Sequence, residues 1–525
     1  ISDIIAPMYP KKDWIETVLS DHKDLRPFIL VEYAYAKSNS NGNFKEFWDL
    51  VNKYPRFQGG FIWDFQDKAL VKVDEQHNKH YVYGGGFNED VTDPVLDMCL
   101  NGVVFADLSL KPAAYEIKNI QAPIDIYYDD EPYVSAHTLK IHNRYLDTNL
   151  SHLAIKWELQ CDGQIVGNGV LRQYITPAGE SEDLDIDIDE SKVFGEAFIN
   201  YEVTLKEDTF YAKAGYSIYS YQLPLHQSIL YLEQKVSECE KLNVQETADQ
   251  IVICGDSTEI CFNKKNGDFT KVYFDGKDYW GGGCDNFYRA PTGIDEGAHN
   301  VGMNYAHDWK SANLNQLDKT VESTHVICSE DFVVIRANYT YNNRLIQVIA
   351  EYQISSKGIQ FTNTVVNNCD MDTIPRIGMS FQLPKEFNQL TWYGRGPFEN
   401  YCDRKTSANV GLYQSTVEEQ HVPYVLPVEC GGKEDVRYLQ LKNSNGKGIK
   451  VTCGEWFHFD VHSHSITQYD QATYDYELGE SNAIHLNIDH KHAGLGGDTG
   501  WTKNIHPEYW VEKGIYHYKV NLEVI

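Results

Sequence analysis

The sequence predicts a multidomain, mostly β protein in three parts. Parallel βα units occupy residues 1–120, an immunoglobulin-like β-sandwich 121–226 and a large β-sandwich 227–525. Three observations lead there. Apolar runs alternate with helical periodicity in the first part. Short alternating runs, separated by Asp, Asn and Gly, take over at about Pro123. Helical patterning then nearly vanishes. At ~150 residues per domain, 525 residues fit three or four domains.

The first part reads strand, helix, strand, helix, strand. Residues 3–9 (DIIAPMY) form a short apolar run and 13–22 have helical spacing. Residues 26–34 (RPFILVEYA) are a second apolar run, opened by a proline. Between Asn43 and Tyr54, the residues Phe44, Phe47, Trp48 and Val51 fall at i, i+3, i+4 and i+7, the stripe of an amphipathic helix. Residues 59–65 (GGFIWDF) are a third apolar run. This order means parallel βαβ units, covered by helices on both faces. Three strands do not close a (β/α)8 TIM barrel, which takes eight. A barrel reading therefore makes this the C-terminal part of one, with the rest upstream.

The second part carries period-2 runs at 133–145, 153–160, 201–206 and 216–225, the spacing of an immunoglobulin-like sandwich ending near Pro224. From about residue 236 strand follows strand, among them 250–255, 332–342, 345–355, 358–366 and 516–525. That length fits one large sandwich. No internal repeat or low-complexity segment interrupts it.

Composition narrows the function. Hydrophobic residues make up 42% and charged residues 23%, which excludes disorder over most of the length. Aromatics reach 13%, a level that suits β-rich domains and sugar-binding sites. Lys and Arg total 46 against 76 Asp and Glu, so the formal charge is 46 − 76 = −30. That argues against nucleic acid and anionic membrane as partners. It fits a neutral substrate and a cytoplasmic location. The 11 Cys form no CxxC pair and are expected to be mostly buried free thiols. No run approaches the length of a membrane span, and no signal peptide is present. A start at Ile1 rather than Met points to a processed product, an engineered chain or a fragment of something longer.

Several residues stand where chemistry is done. Glu32 lies at the end of an apolar strand, where barrel enzymes carry their catalytic groups. A carboxylate there is placed to attack a sugar's anomeric carbon or to move a proton; a capping or ion-pairing role is the plainer alternative. Tyr9, also at a strand end, is placed to hydrogen-bond such a carboxylate or to serve as a rim aromatic. Trp63 ends the third apolar run, as a sugar-stacking platform or an ordinary core residue. In 456–464 (WFHFDVHSH), His458, Asp460, His462 and His464 alternate and so share one strand face. That face is either a zinc site or, more commonly, a polar outer surface. The stretch Asp489-His490-Lys491-His492 carries the same two readings. The glycine-rich stretches 84–86, 281–283 and 494–497 lack phosphate-loop spacing and are expected to be turns. No GxSxG elbow occurs.

Taken together, the segments ISDIIAPMY, VEYAYAKSNSNG, YPRFQGGFIWDFQDKAL, YGGGF, LNGVVFAD, FYRAPTGIDEG, PRIGMSFQLP, WYGRGPFENYCDR and LNIDHKHAGLGGDTGW resemble the C-terminal half or more of the large β-galactosidases of glycoside hydrolase family 2. The resemblance runs the length of the chain. It implies the C-terminal part of a TIM barrel, an immunoglobulin-like domain and a galactose-mutarotase-like sandwich. It implies a retaining enzyme acting on terminal β-galactosides such as lactose. By position Glu32 matches the nucleophile, Tyr9 the tyrosine that hydrogen-bonds it, and Trp63 a wall of the galactose pocket. Asn101 matches a side-chain ligand of an active-site Na+, and the backbone carbonyl of Met98 a second. Trp501 matches the tryptophan that stacks the second sugar.

Departures from the family pattern are equally specific. The acid/base glutamate, the ligands of an active-site Mg2+ and a sodium-binding aspartate are expected upstream of this chain, which alone is expected to be inactive. Tyr35 stands where a galactose-contacting His is usual and Met98 where Phe is common. Lys37-Ser38 replaces Met-Gly, and Val428-Glu429-Cys430-Gly431 departs from the usual (Gln/Ser)-Glu-Asn-Gly. Expected partners are the β-galactoside, the missing N-terminal segment or a complementing chain, and further copies in a homo-oligomer. Two other readings stand beside this one. The chain is either a non-catalytic complementing or carbohydrate-binding subunit, or part of a family 2 glycosidase of different sugar specificity.

Overall fold

The computed structural model describes residues 2–91, 96–127, 138–171, 173–226, 240–297, 304–329 and 331–525. The alternating run expected at 133–145 lies outside the described residues up to 137.

The first part builds helix α1 (Lys12–Leu19), strand β1 (Phe28–Tyr33), helix α2 (Phe44–Lys53) and strand β2 (Phe57–Ile62). β1 and β2 pair in parallel, Leu30 opposite Gly60 and Tyr33 opposite Ile62. A Cβ at Gly60 would come within 2.6 Å of Leu30 Cβ, so only glycine permits this approach. Residues 5–8 run alongside β1 through isolated parallel bridges, Ile5 to Phe28 and Met8 to Glu32, and not as a continuous strand. The apolar stripe of α2 buries Phe44, Phe47 and Leu50 against Phe28, Leu30 and Phe57. Helix α3 (Pro112–Ile120) begins with proline, whose preset φ suits a first turn, and adds Ala114 and Ile117 to that core. Between β2 and α3 lies a hairpin of β3 (Leu70–Val73) and β4 (Lys79–Val82).

Among the described residues the second part is a sandwich of seven strands. β5 (Ile124–Tyr127), β6 (Thr138–Asn143) and β9 (Ser181–Asp185) form one sheet. β7 (Leu153–Cys161), β8 (Gln164–Leu171), β10 (Ala197–Leu205) and β11 (Ser217–His226) form the other. Alternate residues such as Ile155, Leu159, Ile199 and Val203 meet Ile124, Leu139 and Ile141 between the sheets.

Among the described residues the third part is a 17-stranded antiparallel sheet that folds over on itself, with added pairings such as 448–462 with 514–524. Its two faces enclose one large core. Residues 84–86 form the expected turn, and 494–497 a loop. Residues 281–283 do not: they belong to strand Gly281–Asn286, paired with Arg376–Pro384, and a bulge between Gly282 and Cys284 uses the positive φ of Gly282 and Gly283. Of the ten described cysteines, all free, three are buried, one is exposed and six lie between. Among the described residues no helix is long and apolar enough to cross a membrane.

The loop after β1 locks the first part into the third. Lys37 Nζ donates to Gly297 O at 3.0 Å, Asn39 Nδ2 to Glu429 O at 2.7 Å, and the Gly42 N–H to Gly496 O at 2.8 Å. Ala34, Ser38, Asn41 and Asn43 all hold φ between 49° and 60°. That left-handed cluster coils the loop back on itself, at a steric cost for the residue with a Cβ and no polar tip, Ala34.

Candidate active site

Glu32 is half-buried at the C-terminal end of β1, and Trp63 follows the C-terminal end of neighbouring β2. Backbone bonds tie these ends together: Trp63 N–H to Tyr33 O at 3.2 Å and Ala36 N–H to Trp63 O at 2.8 Å. Tyr9 joins them through its N–H, which donates to Glu32 O at 3.0 Å. Its hydroxyl is buried, lacks a partner at full hydrogen-bond geometry and faces the Glu32 carboxylate. Burial, and then the Glu32 charge, push the Tyr9 hydroxyl far above its ordinary value, so it stays protonated.

Trp501 reaches the same place from the third part. Its ring meets Tyr9 edge-on at 4.7 Å and Tyr35 at 5.8 Å. The loop that carries it is pinned by Asp403, whose Oδ2 accepts the N–H groups of Leu495 and Gly496 at 2.7 and 2.8 Å. Asn504 braces its far side, accepting from Gly497 N–H at 2.7 Å.

Tyr35, Met98 and Asn101 also converge. The buried Tyr35 hydroxyl donates to Met98 O at 2.9 Å, and Asn101 Nδ2 donates to that hydroxyl at 3.1 Å. Asn101 Oδ1 accepts from Lys68 Nζ at 2.9 Å, and the same ammonium pairs with Asp64 Oδ2. The two oxygens expected to bind sodium thus already accept protein donors. Trp63, 40% exposed, lies with its ring centroid 5.9 Å from Lys68 Nζ.

Asp64 is the second carboxyl whose charge reaches Tyr9. Partial burial would raise its value, but the Lys68 ammonium and the Phe65 N–H more than offset this and hold it below the usual carboxylate range. Such a group is a poor proton donor.

The histidine-bearing strand departs from its expected outer face. His458, Asp460 and His462 are buried. Asp460 faces Arg376, whose Nη2 lies 2.6 Å from Asp460 Oδ2, 3.0 Å from Asp489 Oδ2 and 3.5 Å from Glu429 Oε1. His458 Nδ1 sits 3.0 Å from Asp489 Oδ2, and its ring stacks on His492 at 4.4 Å. Burial pushes His462 down to about 4 and His492 well below its ordinary value. His458, Asp489 and His492 come close enough to share an ion, but the Arg376 guanidinium already supplies the positive charge there. His464 is apart, half-buried and bonded to Gly479 O.

Residues 254–522 match the family model described as Beta galactosidase small chain, 1–126 that of Glycosyl hydrolases family 2, TIM barrel domain, and 139–226 that of Beta-galactosidase, domain 4. The chain belongs to the β-galactosidases of glycoside hydrolase family 2.

Proteins named beta-galactosidase from Vibrio cholerae, Priestia megaterium and Pseudoalteromonas haloplanktis are 32%, 31% and 30% identical to it, over 99%, 97% and 99% of its length. These alignments take in 49%, 48% and 52% of the relatives, so the chain spans about half the length of the curated relatives it matches. A putative aldose 1-epimerase from Escherichia coli aligns with 54% of the chain and 99% of itself at 10% identity, with a TM-score of 0.28. Within this family 2 chain, sequence reasoning missed Lys68, Asp64 and Asp403 as neighbours of the site. It also missed the ion pair between Lys37 and Asp97, 2.9 Å apart and closed to solvent. Lys37 had been visible only as a departure from the family's Met.

Proposed function

We propose that the chain is part of a retaining β-galactosidase that cleaves terminal β-D-galactosides such as lactose, supplying the nucleophile but not the acid/base. The observation that carries this reading is Glu32 at a barrel strand end, faced by the protonated Tyr9, whose ring packs with Trp501 beside Tyr35, with Trp63 at the end of the neighbouring strand. Glu32 attacks the anomeric carbon and forms the glycosyl-enzyme. The Tyr9 hydroxyl donates to that carboxylate and orients it. Trp63 stacks the galactose face, and Trp501 the second sugar. A retaining mechanism needs a second carboxyl about 5–5.5 Å from the first, to protonate the leaving oxygen and then activate water. Asp64, ion-paired with Lys68, is unsuited to that task.

The second carboxyl, and the residues that would hold Mg2+, come from barrel segments outside this chain. Exposed Met8, Val31, Phe61 and Phe65 support such a partner, since apolar side chains beside an unpaired strand edge call for cover. The partner is an upstream segment or a complementing chain, and the complete enzyme assembles as a homo-oligomer. A cytoplasmic home rests on the acidic, thiol-bearing composition.

Lactose hydrolysis by this chain alone and with the upstream segment tests the reading. Turnover only with the segment is expected; steady turnover by the chain alone would overturn it. A second reading, a different sugar, is favoured by Tyr35, whose hydroxyl closes on Met98 O. A panel of β-glycosides decides between them, and clear preference for galactosides removes the second.

A further inference from the structure

Resemblance to the family assigns a sodium ion to Asn101 and to the Met98 carbonyl, and neither group is free for one. Tyr35, 4% exposed, turns its hydroxyl onto Met98 O. Asn101, also 4% exposed, is spanned at both ends of its amide. Nδ2 donates to the Tyr35 hydroxyl, and Oδ1 accepts from the Lys68 ammonium. That ammonium also pairs with Asp64 and stands beside the Trp63 ring. The result is a closed circuit, Asp64–Lys68–Asn101–Tyr35–Met98, in which every acceptor has a protein donor.

Charge makes the exclusion stronger than the hydrogen bonds alone. A hard cation sits ~2.4 Å from an oxygen ligand. On Asn101 Oδ1 it would therefore lie within ~5 Å of the Lys68 ammonium, a repulsion that the paired Asp64 carboxylate and solvent partly offset. Breaking the Lys68–Asp64 pair to admit the ion would leave both partners to be resolvated or re-paired.

We infer that Lys68 and Tyr35 take the place of the sodium ion. The Lys68 ammonium supplies the positive charge at Asn101 and Asp64, the Tyr35 hydroxyl satisfies the Met98 carbonyl, and the enzyme works without a monovalent cation. The sugar then meets a tethered ammonium and a phenol where an ion would stand, so Lys68 and Tyr35 are specificity-determining residues. This inference rests on the proposed function for its kinetic arm only.

The test is calorimetric titration of the complete enzyme with NaCl, choline chloride holding ionic strength constant, alongside galactoside hydrolysis in the two salts. The unmodified enzyme should show no saturable sodium binding and the same kcat/KM in either salt. Lys68→Gln with Tyr35→Phe frees both oxygens and should bind sodium, with about a tenfold or greater rise in kcat/KM on adding it. Lys68→Arg keeps a tethered cation and should stay indifferent. Saturable sodium binding to the unmodified enzyme, or strong stimulation of it, would overturn the inference. Should the double variant not fold, the unmodified enzyme and Lys68→Arg still decide. Should no galactoside be turned over in either salt, the proposed function fails while the calorimetry still answers the sodium question.

Discussion

The indole of Trp501 meets the ring of Tyr9 edge-on, centroids 4.7 Å apart at 80°. One residue belongs to the large sandwich and the other to the βα units, so the candidate site is assembled across two domains. Edge-to-face aromatic pairs contribute beyond the area they bury. Under the proposed function, the pair would also set where the second sugar rests.

Glu32→Gln should reduce turnover of the complete enzyme by at least about a thousandfold while leaving its thermal unfolding unchanged, because an amide cannot form the glycosyl ester. Steady-state kinetics on lactose with a parallel melting curve checks this. Retention of most activity would remove Glu32 from the reaction.

Trp501→Ala should raise KM for lactose by about 3- to 10-fold, the worth of one aromatic contact at 0.5–1.5 kcal/mol. Hydrolysis of a galactoside with a small aglycone should change much less. Equal loss on both substrates would mean that the indole props up Tyr9 and does not hold the second sugar.

Arg376 holds three carboxylates in a closed interior, its Nη2 within 3.5 Å of Glu429, Asp460 and Asp489. Arg376→Met should destabilise the fold by about 3–5 kcal/mol, since it strands buried negative charge. Urea denaturation followed by fluorescence measures it. A loss under about 1 kcal/mol would mean that the acids protonate or find water at little cost.

Asp403 gives a pH signature. Burial, with Glu46 adding to it, pushes its carboxyl up to about 6, against the pull of the Gly496 and Leu495 N–H groups and Arg404. The unfolded chain releases that proton near 3.8, so across this window the folded state binds more protons. Stability from this group is therefore present below 3.8 and lost as pH rises through about 6. Asp403→Asn keeps an oxygen for the two N–H groups and has no proton to lose. Its stability relative to the unmodified protein should improve by up to about 3 kcal/mol over that rise. Chemical denaturation at several pH values reads it, and a gap that does not move with pH would contradict the shift.

The βα order was legible because α2 shows Phe44 and Phe47 at helical spacing and β1 opens with an unbroken apolar run from Phe28 to Val31. The strand at 448–462 was misjudged for a physical reason. From Phe457 to His462 both faces are buried, so alternation no longer distinguishes inside from outside. The run 281–283 resembled a turn because glycine serves a bulge as readily. Lys68 and Asp403 gave no local signal, since their partners Asn101 and Leu495 are fixed only by the tertiary fold, and Asp64 joins the site through its local pair with Lys68. Trp501 stood out solely through family resemblance, as nothing nearby in sequence tells a ring that packs inward from one lent to a neighbouring domain.

The interlock between residues 37–43 and the sandwich bears on inheritance. A recombination event that exchanged only the βα units between relatives would bring a new loop to old seats at Gly297, Glu429 and Gly496. Viable hybrids should therefore carry both sides of the seam together. Changes in the sandwich then become a route by which the surroundings of Trp501 drift while β1 stays untouched.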